Sequence, residues 1–331
     1  MKRRDWRETA GAIVRACLVL AAATSAAPAQ DYPTKPVTII CDAAAGSTPD
    51  VDTRFFAEGL GRIWKQQVIT VNRPGGGGSI GARAAAEALP DGYTLYMPAL
   101  SDFVALPGVA PNLPLQLPRD FVALGFTAEN PMFFAVNPAL GVNTLPELIA
   151  LARKKPGSIS YATTGVGRLT HLTGELFQMR ADIKLLLVPY TGGPSHAVSD
   201  VSQGRVDFII EGYSGVAAAV KGGLAQVIAV ASARRLPDFP DLPTVAETLP
   251  GFAATGWQVM VAPNGTPEPI LRKVSQDTAI VAESDAVKRS LAKLGSYSHA
   301  MTAAEALAWV HQQQEMWRPV MERIAAQSKS R

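Results

Sequence analysis

Between Val37 and Ala231 apolar runs of strand length alternate with stretches of helical periodicity, and this alternation constrains the fold more than any other feature of the chain. Strand-like runs at 37–41, 68–71, 93–97, 159–163, 185–188, 206–210 and 227–231 are interleaved with helical patterns at 51–64, 80–89, 145–153, 169–179, 197–203 and 216–220. A parallel strand needs a crossover, so this order predicts an α/β fold with largely parallel sheets, continuing too long for one sheet. Ligands in such sheets lie where a strand turns into the next helix. Four of those turns share a composition: Ala45-Gly46-Ser47-Thr48, Gly75 with Gly76, Gly77, Gly78 and Ser79, Thr163-Thr164-Gly165-Val166-Gly167, and Tyr190-Thr191-Gly192-Gly193. Glycine admits close backbone approach, hydroxyls donate hydrogen bonds, and amides at a helix start favour negative charge. The recurrence predicts an anion site built without a fixed cation.

The second turn satisfies two enzyme signatures at once. Gly76 to Gly81 reads as G-x-G-x-x-G, and Gly77 to Gly81 as G-x-S-x-G with Ser79 as nucleophile. Asn72-Arg73-Pro74 separates the glycines from the strand in both cases. A dinucleotide fold wants the first glycine directly after the strand and an acid about 20 residues on, and Asp102 fits that spacing loosely. A hydrolase elbow wants the serine on a sharp turn with an acid and then a histidine downstream. The four histidines, His171, His196, His299 and His311, show no close metal spacing, and His171 reads as a packing residue. No catalytic set assembles, and a serine hydrolase using Ser79 remains the competing reading.

The N-terminus is read apart from the fold. Lys2, Arg3, Arg4 and Arg7 precede an apolar stretch around Leu18-Val19-Leu20, and Ala27-Pro28-Ala29 closes it. That is the pattern of a cleaved secretory signal peptide over 1–29. Its apolar core is shorter than the roughly 20 residues a spanning helix needs. The whole chain has 31 basic and 28 acidic residues; cleavage removes five and two of them, leaving 26 of each sign. A neutral mature chain gives no electrostatic argument for nucleic acid or an anionic membrane. Of two cysteines only Cys41 then remains, so no intrachain disulfide forms and buried packing is expected. With 47% hydrophobic residues over 331 positions the chain can bury a large core.

Blocks along the mature chain resemble one family. They are Tyr32-Pro33-Thr34-Lys35-Pro36, Gly46 to Asp50 with Arg54, Val71-Asn72-Arg73-Pro74-Gly75 through Ile80-Gly81-Ala82, and Pro90-Asp91-Gly92-Tyr93-Thr94-Leu95. Tyr161 to Gly167 with His171, Pro189-Tyr190-Thr191-Gly192, Leu242-Pro243-Thr244-Val245-Ala246-Glu247 and Ala262-Pro263-Asn264-Gly265-Thr266-Pro267 follow in order. The sequence resembles the Bug-type extracytoplasmic solute receptors of tripartite tricarboxylate transporters. The resemblance implies a type II-like periplasmic binding protein: two α/β lobes, a cleft between them and two crossover strands near 129–134 and 251–261. Lobe one would be 30–130 with 252–331, and lobe two 131–251. It implies a periplasmic receptor that closes on a small carboxylic acid and hands it to membrane permease subunits; a receptor that signals to a partner uses the same closed form. A monomer is the default expectation, and nothing in the sequence calls for a metal, nucleotide or other cofactor. The carboxylate would be held by backbone amides, hydroxyls and water. Ala45, Gly46, Ser47 and Thr48 with Gly76, Gly77, Gly78 and Ser79 would form one jaw, and Thr163, Thr164, Gly165, Thr191 and Gly192 the other.

Departures from the family pattern bear on the ligand. Ser47 stands where a second glycine is usual, and its hydroxyl either bonds the ligand or caps a helix. Ala43 replaces a common aromatic, which widens the pocket and predicts a ligand larger than a four-carbon dicarboxylate. Asp42 adds a charge beside it. Arg168 replaces a small residue: pointing inward it pairs with a second carboxylate, pointing outward it is a solvated charge, and the outward direction is expected because long charged side chains are rarely buried. Glu211 corresponds to a usual aspartate and either receives an ammonium or amide group or caps the helix after Ser214. Asp50, near the start of the helix through Arg54, is expected to complement the helix dipole as scaffold, and Asn72 and Arg73 to brace their loop.

Overall fold

The Val-Thr-Ile-Ile-Cys run of β1 (Val37–Cys41) is buried on both faces, as a central parallel strand must be. The computed structural model describes residues 32–105 and 116–329; the expected signal peptide at 1–29 lies outside them. The chain divides into Met1–Thr34, of which only 32–34 are described, and a compact unit from Lys35 to Arg331. In that unit β1 is followed by α1 (Thr48–Trp64), β2 (Val68–Asn72), α2 (Ser79–Ala86), β3 (Thr94–Tyr96) and α3 (Leu100–Val104). Both β2 and β3 pair with β1 in parallel.

One strand of 16 residues, β4 (Phe121–Val136), then runs through the rest of the sheet. After it come α4 (Leu145–Lys154), β5 (Ser160–Thr163), α5 (Leu169–Ala181), β6 (Leu186–Pro189) and α6 (Pro194–Ser202). Next are β7 (Phe208–Gly212), α7 (Tyr213–Lys221), β8 (Gln226–Val230), α8 (Val245–Thr248) and β9 (Thr255–Pro263). The chain closes with α9 (Glu268–Glu283), α10 (Asp285–Ala292) and α11 (Ala303–Lys329). The first part of β4 pairs antiparallel with β9, from Phe121 opposite Pro263 to Pro131 opposite Thr255. From Met132 onward it pairs with β7 on one side, and from Phe133 with β8 on the other. Pro131 brings no N–H to a ladder, and the change of partner falls at that residue.

The strand path is therefore β2-β1-β3-β9-β4-β7-β5-β6, with β8 also on β4. The sequence pattern suggested too many strands for one sheet. Instead β4 is long enough to be shared, giving two α/β halves joined by a continuous hydrogen-bonded network. The chain passes from one half to the other along β4 and returns just before β9, where Ala254 N–H donates to Ala231 O and Met132 N–H to Ala254 O.

Packing follows helical spacing. Phe56, Leu60 and Trp64 recur every four residues on the buried face of α1, each contributing roughly 1.5–3 kcal/mol on burial. The Trp64 indole N–H is satisfied by Asp277 Oδ2 on α9 at 2.6 Å. The two helices approach so closely that a Cβ at Gly59 would lie 2.7 Å from Val281 Cγ1. In the other half Phe134 of β4 meets Phe177 of α5 edge-on, centroids 5.1 Å apart. Cys41 is fully buried and free; burial, then the neighbouring Asp42 charge, push its thiol up to about 12, so it stays unionised.

Candidate ligand-binding site

The carboxyl ends of five strands converge on one cavity of about 360 Å³. Asp42 and Ala43 follow β1, Gly75 to Gly78 follow β2, Thr164 and Gly165 follow β5, Thr191 follows β6, and Glu211 is the last residue but one of β7. Asn130 and Met132 of β4 and Trp257 of β9 line it from the crossing strands. Trp257 is stacked on Phe103, with ring centroids 5.6 Å apart.

Arg168 caps the start of α5 from the second half and points inward, against the expectation of a solvated charge. Its side chain is only 12% exposed. Nη1 lies 3.2 Å from Asp42 Oδ2 and 3.2 Å from Asp102 Oδ1, and donates to Gly77 O at 3.4 Å. Both acids are fully buried side chains of the first half. Burial lowers the guanidinium's affinity for its proton, but Asp42 and Asp102 outweigh that and raise it. Asp102 is held well above the usual carboxylate range by burial and by Asp42, with Arg168 and the Ala99 N–H opposing. Tyr96 donates its hydroxyl to Asp42 Oδ2 at 3.2 Å. Gly78, at φ 110°, fits because it has no side chain: a Cβ would collide with Asp102 Oδ1 and lie 2.8 Å from Asp42 Oδ2 and 2.9 Å from Arg168 Nη1.

Two further contacts cross the cavity. Thr48 Oγ1 and Ser214 Oγ are 2.6 Å apart, and Gly193 packs so closely that a Cβ there would be 2.9 Å from that of Ala44. Glu211 is buried, 3% exposed. Its Oε1 accepts the Gly212 N–H at 3.0 Å, and its Oε2 has no hydrogen-bond partner among the described residues. Burial pushes it up to about 7, against the Gly212 N–H, the nearby Thr164 hydroxyl and Arg168. It does not cap the following helix, because α7 begins at Tyr213 with Gly212 as its cap and no side-chain bond. The Trp257 indole N–H is likewise buried without a partner.

Of the residues singled out in the sequence, Ala43, Ser47, Thr48, Gly76, Gly77, Gly78, Thr164, Gly165, Arg168, Thr191 and Glu211 line the cavity. Ala45 and Gly46 are exposed outside the lining. Asp50 sits at the α1 start, accepting the Gly46 N–H at 2.9 Å, Arg54 Nε at 3.1 Å and Asn72 Nδ2 at 2.8 Å. Thus a protein carboxylate already occupies that helix terminus. Ser47 is the cap residue of α1, but its hydroxyl donates to Ala44 O at 2.6 Å and accepts no bond from the helix amides. Ser79 begins α2 and lies outside the lining, as do Thr163, inside β5, and Gly192, which borders a shallow outer groove with His196. The His171 ring accepts the Gly167 N–H at Nδ1, 3.2 Å, and burial lowers its pKa, so it is neutral. No cluster of three or more residues that could hold a metal occurs among the described residues.

A family model described as tripartite tricarboxylate transporter family receptor matches residues 53–326. The chain belongs to that receptor family. Among its relatives, protein BugT of Bordetella pertussis is 31% identical over 317 residues, spanning 94% of this chain and 97% of its own. Two solved structures have the same fold. R. palustris Rpa4515, a structure with adipate, is 27% identical at TM-score 0.84 and covers 88% of this chain and 97% of its own. The periplasmic binding protein BugD is 28% identical at TM-score 0.81, covering 88% and 98%. In this family member no described helix is long and apolar enough to cross a membrane.

Ser101, Asn130, Met132, Gly256 and Trp257, none of them singled out in the sequence, line the cavity of this receptor, and Asp102, weighed there only as the acid of a dinucleotide fold, lies directly behind its wall. Asn130, Met132, Gly256 and Trp257 lie on the two crossing segments, and any residue there must border the space between the halves. That signal was available from the placement of the crossings at 129–134 and 251–261.

Proposed function

We propose that this receptor captures a small carboxylated molecule by closing two lobes, 30–130 with 252–331 and 131–251, about the crossing segments of β4 and β9. The observation that carries the reading is the cavity whose wall is drawn from both halves and bridged by Arg168, Thr48–Ser214 and Gly193. Those bridges must part to admit a ligand, and a ligand that contacts both walls favours their return. The adipate that accompanies the R. palustris receptor supports a carboxylate as cargo. Amides and hydroxyls at Gly76, Gly77, Thr164 and Thr191 would receive its charge, since the one guanidinium of the wall is already paired. Binding without turnover fits a Ser79 that stands outside the cavity. Export through the signal peptide at 1–29 would bring a monomeric receptor to the periplasm, where the closed form would be presented to permease subunits of a tripartite tricarboxylate-type transporter.

Native mass spectrometry of protein purified without denaturation, together with small-angle scattering before and after addition of adipate or a bulkier acid, tests this. The expected result is a releasable small acid or saturable binding with a fall in radius of gyration. A rigid molecule that binds no carboxylic acid, or one that converts the acid to product, would overturn the reading.

A further inference from the structure

The cavity wall carries more acid than base. Asp42, Asp102 and Glu211 lie on it or directly behind it, against the single cation Arg168 among the described residues. Arg168 is spent on Asp42, Asp102 and Gly77 O, so it has little to offer an incoming anion. Glu211 differs from the other two acids. Asp42 has Tyr96 and Arg168, and Asp102 has Ala99 N–H and Arg168, whereas Glu211 Oε2 is buried with no partner among the described residues. A buried acceptor left unpaired costs free energy, and on a side chain that lines a ligand cavity, with the Thr164 hydroxyl as its nearby side-chain donor, it is an atom that a donor on the ligand would satisfy. The opposite requirement appears at Trp257, whose unpaired indole N–H can only donate, to an acceptor such as a carboxylate oxygen.

Resting on the receptor reading above, we infer that the cargo is a carboxylate that also carries a nitrogen donor, an ammonium or amide N–H, which pairs with Glu211 Oε2. A plain dicarboxylate would bring two negative charges to a wall that has no free cation and would leave Glu211 either repelled or forced to keep its proton. A molecule with one carboxylate and one N–H group meets both unpaired atoms with the right polarity. The burial that holds Glu211 near neutrality makes proton exchange a direct reporter: an ammonium drives its proton off, and a second carboxylate makes it take one up.

Matched probes test this by titration calorimetry at pH 7 in two buffers of different ionisation enthalpy. One set is adipate, 6-aminohexanoate and 6-amino-6-oxohexanoate; the other is terephthalate and 4-(aminomethyl)benzoate. In at least one set the nitrogen-bearing member is expected to bind tenfold or more tighter than its dicarboxylate. For an ammonium, binding releases protons and both Glu211→Gln and Glu211→Leu abolish the preference. For an amide, Glu211→Gln keeps the preference and Glu211→Leu abolishes it. Dicarboxylates that bind as tightly or tighter with proton uptake, or a preference that survives Glu211→Leu, would overturn the inference and leave the receptor reading standing. If no probe binds, the elemental composition of the acid co-purified with native protein decides: one without nitrogen overturns the inference, and the absence of any acid overturns the receptor reading with it.

Discussion

The Arg168 guanidinium reaches across the cavity to within 3.2 Å of Asp42 Oδ2, joining the start of α5 in one half to the end of β1 in the other. Few arrangements hold a long cation inside a protein, and all of them supply compensating charge. Here the compensation is double, because Asp102 receives the same nitrogen. The consequence for binding is that the most obvious anion-binding side chain of the cavity serves the contact between halves instead. On the function proposed above, recognition would fall to main-chain groups, hydroxyls, Glu211 and Trp257, all of which line the cavity or lie at its wall.

Removing that cation leaves the Asp42 and Asp102 side chains buried together without their counter-charge, and takes away the group that opposes the upward shift of Asp102. Arg168→Ala is expected to destabilise the ligand-free protein by about 3 to 5 kcal/mol, the usual cost of breaking a buried pair from one side. Asp42→Asn costs less, because Asp102 still balances the guanidinium. The double variant is less damaged than the two changes added together, by roughly 1 kcal/mol or more. Urea unfolding of the four proteins measures the cycle; strict additivity would mean that the pair is not formed in solution.

Gly78→Ala probes the same cluster from the backbone. Gly78 has φ 110°, and its missing Cβ is what lets Asp102, Asp42 and Arg168 close around it. Gly141 has φ 73°, and a Cβ added there would meet nothing within 4 Å. Strain alone, about 1–3 kcal/mol, should therefore account for Gly141→Ala, whereas Gly78→Ala adds a steric cost and disrupts the ion pair. Thermal unfolding should show a clearly larger loss at Gly78, together with weaker carboxylate binding that Gly141→Ala does not share. Equal losses would refute the packing account.

The turns that build the cavity were legible because strand period, helix period and clustered glycine with serine or threonine are local signals. Three features were not. Arg168 is 126 residues from Asp42 and 66 from Asp102, so nothing near it in the chain revealed that burial would be compensated. The strand holding Glu211 runs 208–212 rather than 206–210, which puts its side chain within a ladder instead of at a helix start. The long β4 carries Thr127, Glu129, Asn130 and Pro131 in its middle, a polar interruption that reads as a break and is in fact where the strand changes partners.

Buried acids set an unusual pH dependence: Asp102 is held well above the usual carboxylate range, and two others are raised to near neutrality. Glu211 and Asp52 are both raised to about 7 by burial, the latter despite hydrogen bonds from Asn130 and Ser296. Between about pH 4 and 7 the folded protein binds these protons and the unfolded chain does not. Stability from these groups is therefore fully present below that window and is lost as pH rises through it to 7. Each contributes a change of roughly 3 to 4 kcal/mol across the window. Unfolding free energies measured from pH 5 to 8 should decline, and Asp52→Asn and Glu211→Gln should each flatten the slope. A slope unaltered by both variants would place the titration elsewhere.

Cargo size follows from Ala43, which lines the cavity and is 6% exposed. With a small side chain at that position the space amounts to about 360 Å³, more than a four-carbon acid can fill, and unfilled apolar wall forfeits contact energy. Acids of six or more carbons, or with an aromatic ring, should bind more tightly than succinate or aspartate. Ala43→Tyr should reverse that order, weakening the bulky acids tenfold or more while sparing the short ones, because the added ring occupies volume that only the larger ligands use. Calorimetric titration of both proteins with the graded series decides it; tighter binding of succinate by the unaltered receptor would contradict the argument from volume.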